Sequence, residues 1–301
     1  MWIDCWEMER PWSRVRYPQD ELESIHREFT TQFRIQTGLG ASFHRIHRYY
    51  SDDLFSKIYY EDNESIMFFE IARDSLLDSL SKTVPITEKR TSLPILSHIL
   101  LEAINDTATL VATDLEVGIK VTNECQVREP GALALPSKKM YEIVRELGCS
   151  SIEISSLDPF KLVIQAGQSV FQLSGMDAGD YPAWISPEEG SEVSISAEKL
   201  LYMIDKTMFA ASSDDSRFNL NGILFERDEN KTRFVATDGH RLALISEELG
   251  LPLEKNVVVP RKGIAELRRV LEGVKEEIVF GIENKNIILK TERYMMTVRL
   301  S

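Results

Sequence analysis

Apolar residues in this chain recur in short alternating runs broken by turn residues, with a few helical stripes between them. From Met67 onward the pattern is regular. Met67-Phe68-Phe69-Glu70-Ile71 reads as a strand. Asp74 to Lys82 places leucines at 76, 77 and 80, the spacing of one helix face. Thr87 to Ser92 is a polar loop, and the apolar run Pro94 to Glu102 reads as a buried strand. Strands Thr109 to Thr113 and Val117 to Val121 follow the Asn105-Asp106 turn. Pro136 suits the first position of a helix, where its missing N–H is no loss, and that helix runs to about Leu147. Then come short strands at Ile152 to Ser156, Lys161 to Gln165 and Val170 to Ser174, and an extended linker from Asp177 to Gly190. A second series opens with a helix from Ala197 to Phe209 and a small acidic loop from Ala210 to Ser216. It continues with strands Leu220 to Glu226, Thr232 to Thr237 and Arg241 to Ser246, and a helix from Pro260 to Leu271. Strands Ile278 to Ile282, Ile287 to Lys290 and Tyr294 to Leu300 close it.

The two series are copies. An offset of 124 carries Val111-Ala112-Thr113-Asp114 onto Val235-Ala236-Thr237-Asp238. The same offset carries Leu76-Leu77 onto Leu200-Leu201, Lys82-Thr83 onto Lys206-Thr207, and Leu96 to Glu102 onto Leu220 to Glu226. It also carries Pro136, Lys138 and Glu142 onto Pro260, Lys262 and Glu266 without a gap. The period is too long for a solenoid unit, so the chain reads as two tandem α+β domains of one fold, 67–190 and 191–301. In the second copy, Thr237-Asp238-Gly239 is turn chemistry, and Leu242 and Leu244 alternate with Arg241 and Ala243 as in a half-buried strand. The first copy keeps Val-Ala-Thr-Asp and lacks Gly-His-Arg. What is shared is architecture; what is unshared is where function is sought.

Composition narrows the classes. The chain has 301 residues, 43% of them hydrophobic, enough for two cored domains. A net charge of −13 argues against a generally basic nucleic-acid binder and leaves a local basic face open. Cys5, Cys125 and Cys149 form no CxxC, which fits a reduced, cytoplasmic setting. No apolar run approaches the roughly 18 residues of a membrane helix, and the N-terminus has no signal-peptide core. Residues 1–66 fall outside the repeat; they hold Trp2, Trp6 and Trp12, and seven Arg against the single Lys57. They read as a non-repeat extension, with Met67 as the expected natural start, and Ser24 to Arg34 as a short helix. His44 and His47 have no Cys or carboxylate cluster beside them at ligand spacing, so no metal is expected. Asp238 and His240 have the residue types of an acid–base pair. Yet Asp114 occupies the equivalent turn with no His, and neither a nucleophile elbow nor a phosphate loop accompanies it, so catalysis is not expected. No cofactor is implied.

Several motifs together resemble the bacterial sliding clamp, the β subunit of DNA polymerase III. They are Arg90-Thr91-Ser92-Leu93-Pro94-Ile95-Leu96, Ala112 to Glu116, Leu135-Pro136-Ser137-Lys138-Lys139, Gly179-Asp180-Tyr181-Pro182, Leu220 to Glu226, Ala236 to Ala243 and Val259-Pro260-Arg261-Lys262-Gly263. The resemblance covers Met67 to Ser301. It implies tandem DNA-clamp domains, each with two helices packed on antiparallel sheets, in a non-catalytic processivity factor that tethers the replicative polymerase to duplex DNA. Such clamps have three domains per subunit and close a ring from two subunits. Here a third domain is not seen, so the expectation is a truncated form that does not close the homodimeric ring. The alternative is a clamp-derived interaction module that does not encircle DNA.

The resemblance also assigns residues. Its peptide pocket falls on Leu220, Thr237, Gly239, His240, Arg241 and Leu242. The leucines give an apolar floor, Gly239 lets a ligand approach the backbone, and His240 and Arg241 cap the rim. The implied partners are the DNA polymerase III catalytic subunit, the clamp loader and other proteins with clamp-binding motifs. The helices supply Lys138, Lys139, Lys199, Lys206, Arg261 and Lys262 for double-stranded DNA, joined by Arg90, Arg217 and Phe218 from loops. Such cations are also ordinary on solvated helix faces; the resemblance turns them toward phosphates, for sequence-independent contact.

Overall fold

The structure is a computed structural model, described over residues 67–87, 93–184, 192–214, 220–229 and 231–301. The first repeat comprises β1 (Met67–Ala72), α1 (Arg73–Thr83), β2 (His98–Ile104), β3 (Thr107–Thr113), β4 (Val117–Glu124), β5 (Gln126–Glu129), β6 (Gly131–Pro136), α2 (Ser137–Glu146), β7 (Ser151–Asp158), β8 (Lys161–Ala166) and β9 (Ser169–Ser174). The second comprises β10 (Glu192–Ser196), α3 (Ala197–Thr207), β11 (Gly222–Asp228), β12 (Lys231–Thr237), β13 (Leu242–Glu247), β14 (Val257–Pro260), α4 (Arg261–Leu271), β15 (Glu277–Glu283), β16 (Asn286–Lys290) and β17 (Tyr294–Arg299). The offset of 124 holds to the residue for α1 and α3, β2 and β11, and β3 and β12. The fold is α+β, and Thr113 and Thr237 end equivalent strands.

Three antiparallel sheets result, with orders β5-β1-β7-β8-β9, β10-β15-β16-β17-β4-β3-β2-β6 and β13-β12-β11-β14. The eight-stranded sheet spans both repeats. Its central seam is β17 on β4, in register from Tyr294↔Val121 to Val298↔Val117. Each helix turns an apolar stripe inward: Leu76 and Leu80 on α1, Met140 and Val144 on α2, Leu200 and Ile204 on α3, Ile264 and Leu267 on α4, all buried. Inside the second repeat, Phe225 and Phe234 are cross-strand partners whose rings stack at 3.7 Å.

The seam between repeats is built as a protein interior. Gly118 sits where an added Cβ would meet Thr297 Oγ1 at 2.9 Å and the Trp184 ring at 3.1 Å. Asp114, its side chain only 1% exposed, receives the Lys262 ammonium at 2.7 Å. Burial works against that ammonium, but Asp114 and Glu116 outweigh it and raise its pKa above the ordinary 10.5. Arg269 of α4 donates to the carbonyls of Ser81 at 3.1 Å and Lys82 at 2.6 Å, at the C-terminal end of α1. A cation there satisfies orphan carbonyls and meets the negative end of the helix dipole.

Several elements differ from the sequence reading. The run from Pro94 is not strand at its start: Pro94–Ser97 is a 3-10 turn, and β2 begins at His98. Pro94 has no N–H for a ladder, and Ser97 Oγ donates back to its carbonyl at 2.7 Å. Pro136 is not the first helical residue but the last of β6, opposite His98; Pro260 ends β14 in the same way. The sequence reading also passes over the edge strands β5, β6, β10 and β14, which are only four to six residues long. The segment after Asp177 does not begin as a free linker. Asp177 caps a 3-10 turn at Ala178–Asp180, and Tyr181 is buried with its hydroxyl 3.1 Å from His98 O and 3.2 Å from Val111 O. Burial pushes that phenol up to about 12. The helix read at Ser24 to Arg34 and the pair His44 and His47 lie outside the described residues.

Because Asp114 is buried and Lys262 is its charged partner across the seam, Lys262→Met should lower stability by about 1–2 kcal/mol, between the cost of losing an exposed pair and that of breaking a buried one. Urea unfolding at neutral pH reads this as a lower midpoint with unchanged slope.

Candidate functional site

The turn after β12 is built by one side chain. Asp238 Oδ1 accepts from the His240 N–H at 2.9 Å and the Arg241 N–H at 3.0 Å, while Oδ2 accepts from Arg241 Nε at 2.9 Å. Thr237 Oγ1 donates to Arg241 O at 2.8 Å and accepts from Gly239 N at 3.1 Å. Gly239 has φ +90°, a conformation that favours glycine. The first repeat builds the same turn: Asp114 Oδ1 accepts from Glu116 N at 2.9 Å and Val117 N at 2.8 Å, and Thr113 Oγ1 donates to Val117 O at 3.1 Å. Leu115 stands where Gly239 does and takes φ +73° in spite of its side chain.

This geometry disposes of the acid–base pair. The Asp238 carboxylate is engaged by the backbone amides of His240 and Arg241 and by the Arg241 side chain, which together hold it down at about 2. A carboxylate so engaged is a structural acceptor, not a base. Among the described residues no group of three or more His, Cys, Asp or Glu is placed to hold a metal ion.

Thr237, Gly239, His240, Arg241 and Leu242 share this one turn. Leu220 precedes β11, whose N-terminal end lies beside the C-terminal end of β12 because the two strands are antiparallel. The leucines point opposite to the sequence expectation of a half-buried strand. Ala243 pairs with buried Ala236 on the core side, while Leu242 and Leu244 face outward, 65% and 55% exposed. The pairing Thr237↔Leu242 fixes this, since it places residue 242 on the outward face. On that face Leu244, Val235, Leu224 and Val258 lie in one cross-strand row. Phe209, also exposed, lies with its ring 5.8 Å from the Arg241 guanidinium.

The first repeat has a counterpart cleft, and there it is walled on both sides. Thr113, Leu115 and Gly118 of the first repeat line it, together with Pro182 to Trp184 and with Asn286 and Thr297 of the following repeat. The Trp184 ring rests against the Gly118 position. In the second repeat the described residues supply only the first wall.

The helix cations divide. Lys139 and Lys199 are exposed. Lys138 is exposed with Glu142 at 3.8 Å, and Lys206 lies over the Tyr202 ring at 5.3 Å. Arg261 and Lys262 are committed elsewhere: Arg261 Nη1 donates to Ala211 O at 2.6 Å, and Lys262 is held in the seam by Asp114 and Glu116. Sequence alone did not separate these two from the exposed lysines, because their partners lie 50 and 148 residues away. Arg90, Arg217 and Phe218 lie outside the described residues.

Two repeats of one α+β unit, joined edge to edge into a continuous sheet with helices packed beneath, define a tandem clamp-type architecture. Residues 67–185 match the family of the DNA polymerase III beta subunit, N-terminal domain, and residues 194–301 match its central domain. The beta sliding clamp of Caulobacter vibrioides is 41% identical over 233 residues, covering 73% of this chain and 62% of that protein. The crystal structure of the DNA polymerase III subunit beta from Pseudomonas aeruginosa superposes with a TM-score of 0.73 at 36% identity, over 78% of this chain and 65% of that one. The sliding clamp from Bacillus subtilis gives 0.75 at 28% identity, over 79% and 65%. The chain belongs to the DNA polymerase III beta-subunit family, the beta sliding clamps. It spans 62–65% of the length of the curated relatives it matches.

The Asp238 turn carries a pH signature. Its carboxylate is held down from the ordinary 3.8 to about 2, so the stability it lends the turn is present above pH 4 and lost as pH falls toward 2. Carboxyl-carbon NMR should place the Asp238 midpoint near 2, and Asp238→Asn should remove the transition.

Proposed function

We propose that this chain works as part of a DNA sliding clamp, with 67–190 and 191–301 as the first and second clamp domains and 1–66 as a non-clamp extension. On this reading it holds a replicative polymerase to duplex DNA in the cytoplasm, as a non-catalytic processivity subunit. It receives the polymerase catalytic subunit, the clamp loader and other clamp-binding proteins through short peptides at the second-repeat turn. The observation that carries the reading is the duplicated cleft. In the first repeat the chain's own Pro182 to Trp184 line it, with the Trp184 ring against Gly118, while the second repeat presents the same turn with Leu242 and Leu244 exposed beside Gly239. An apolar strip at an edge strand, rimmed by His240 and Arg241, suits an extended peptide with an apolar anchor.

Contact with DNA falls to Lys138, Lys139, Lys199 and Lys206, joined on the resemblance by Arg90, Arg217 and Phe218. These cations meet phosphates and read no bases, so the contact permits sliding. Arg261 and Lys262 act instead by holding the fold.

Two measurements test this. Titrating a clamp-binding peptide should show affinity reduced about tenfold or more in Leu242→Asp, since a carboxylate replaces the apolar anchor surface, and changed less than about twofold in the matched control Leu115→Asp. Both leucines are exposed, so both variants should fold. Equal binding by Leu242→Asp and the parent would sink the pocket assignment. For DNA, neutralising Lys138, Lys139, Lys199 or Lys206 should each lower the slope of log affinity against log salt by about 1, whereas Lys262→Met should leave it unchanged. A preference for one duplex sequence at fixed salt would count against the reading.

A further inference from the structure

We infer that Trp184 is the built-in occupant of a binding socket, and that the socket takes a flat aromatic group of indole size when that ring is out of it. The face of the eight-stranded sheet turned away from the helices carries a second apolar cluster, separate from the main core. Val111, Ala134 and Tyr181 are its buried members, and Met176 and Trp184 pack on it. Alternation along β3 produces this: Leu110 and Ala112 belong to the main core with the helices, so Val111 faces the other way. The stretch from Met176 to Trp184 lies over the cluster as a strap.

The strap is fastened unevenly. Met176 exchanges two backbone hydrogen bonds with Ala134, at 2.8 and 3.1 Å. Tyr181 is buried, and its hydroxyl reaches two carbonyls. Beyond Tyr181, Ala183 is exposed and Trp184 half-buried, and the ring is held by packing. Its place is nonetheless shaped for it. Gly118 has no side chain, and a Cβ there would stand 3.1 Å from Trp184 Cζ3 and 2.9 Å from Thr297 Oγ1. The Gly118 backbone is therefore a flat floor, with the threonine hydroxyl beside it. Leu115 stands at the mouth, 52% exposed and at φ +73°, a strained conformation of the kind that gathers at ligand sites. Glu116 and Asn286 line the same cleft and offer acceptors. A flat floor with acceptors around it suits an aromatic ring that carries an N–H.

The socket also straddles the seam. Gly118 of β4 and Thr297 of β17 are register partners, so the ring covers the ladder at a point where the two repeats join. Removing the ring uncovers that pair to water, and a ligand in the socket covers it again.

Free indole is the probe, and the full chain carrying Trp184→Gly is the test protein. The variant should melt below the parent. Indole, at a concentration on the order of millimolar, should raise the variant's midpoint and shift the amide signals of Gly118 and Thr297. The parent, whose own ring fills the socket, should bind indole at least about tenfold more weakly. Amides of β4 and β17 beside the socket should exchange about tenfold faster in the variant than in the parent, and slow again with indole. Indole that leaves the variant's midpoint and those two amide signals unmoved overturns the inference. So does equal binding by parent and variant, because the indole would then sit elsewhere. If Trp184→Gly fails to fold, Trp184→Leu decides: its side chain covers the cluster without filling the place of the ring, so indole should shift the same two amides, and their failure to move overturns the inference. Indole binding with unchanged exchange along β4 and β17 would refute the cover of the seam while leaving the socket in place.

Discussion

Everything in this molecule depends on one ladder, the pairing of β17 with β4. It converts two repeats into a single continuous sheet and fixes how one follows the other. An open sheet edge is a hazard in water, and burying one edge against another of the same chain removes two at once. The ladder alone would tolerate a slip. The seam is therefore pinned by contacts that recognise particular partners: Gly118 under Thr297 and Trp184, Lys262 on buried Asp114, and Arg269 on the end of α1. Each joins a residue of one repeat to a residue of the other, so none survives a shifted register.

The two copies of the turn separate structure from function more cleanly than either would alone. Asp114 and Asp238 do the same work, closing a tight turn by accepting two backbone amides. Beyond that their uses diverge. Asp114 is drawn into the seam and neutralised by Lys262. Asp238 stays at the surface and bonds Arg241, leaving Gly239 and His240 exposed beside a strip of leucine. Duplication supplied the scaffold twice, and only the second copy keeps its turn at the surface.

Much of this was legible in the residues. The constant offset gave the tandem fold, and Val-Ala-Thr-Asp followed by Gly-His-Arg marked the turn. What escaped was set by long-range geometry. The alternation of Leu242 and Leu244 signals a strand with two faces but not which face is inward. That depends on Thr237 standing opposite Leu242. Likewise Lys138 and Lys262 occupy the same place in their repeats, and nothing local distinguishes them. Lys138 makes only an exposed local pair with Glu142, whereas Lys262 is held because it alone has a buried carboxylate across a seam. Pro94 and Pro136 were each misplaced within their elements for a smaller reason: proline marks a boundary without saying on which side of it the chain becomes helical.

Trp184 has a consequence beyond packing. It is tied to the first repeat by a few residues anchored through buried Tyr181, so it meets its cleft at the effective concentration of a short tether, on the order of millimolar. Any ligand entering there would have to displace the Trp184 ring from its place against Gly118. On the function proposed above, the two copies of the turn are thereby kept from taking the same ligand, through covalent linkage rather than a difference in shape.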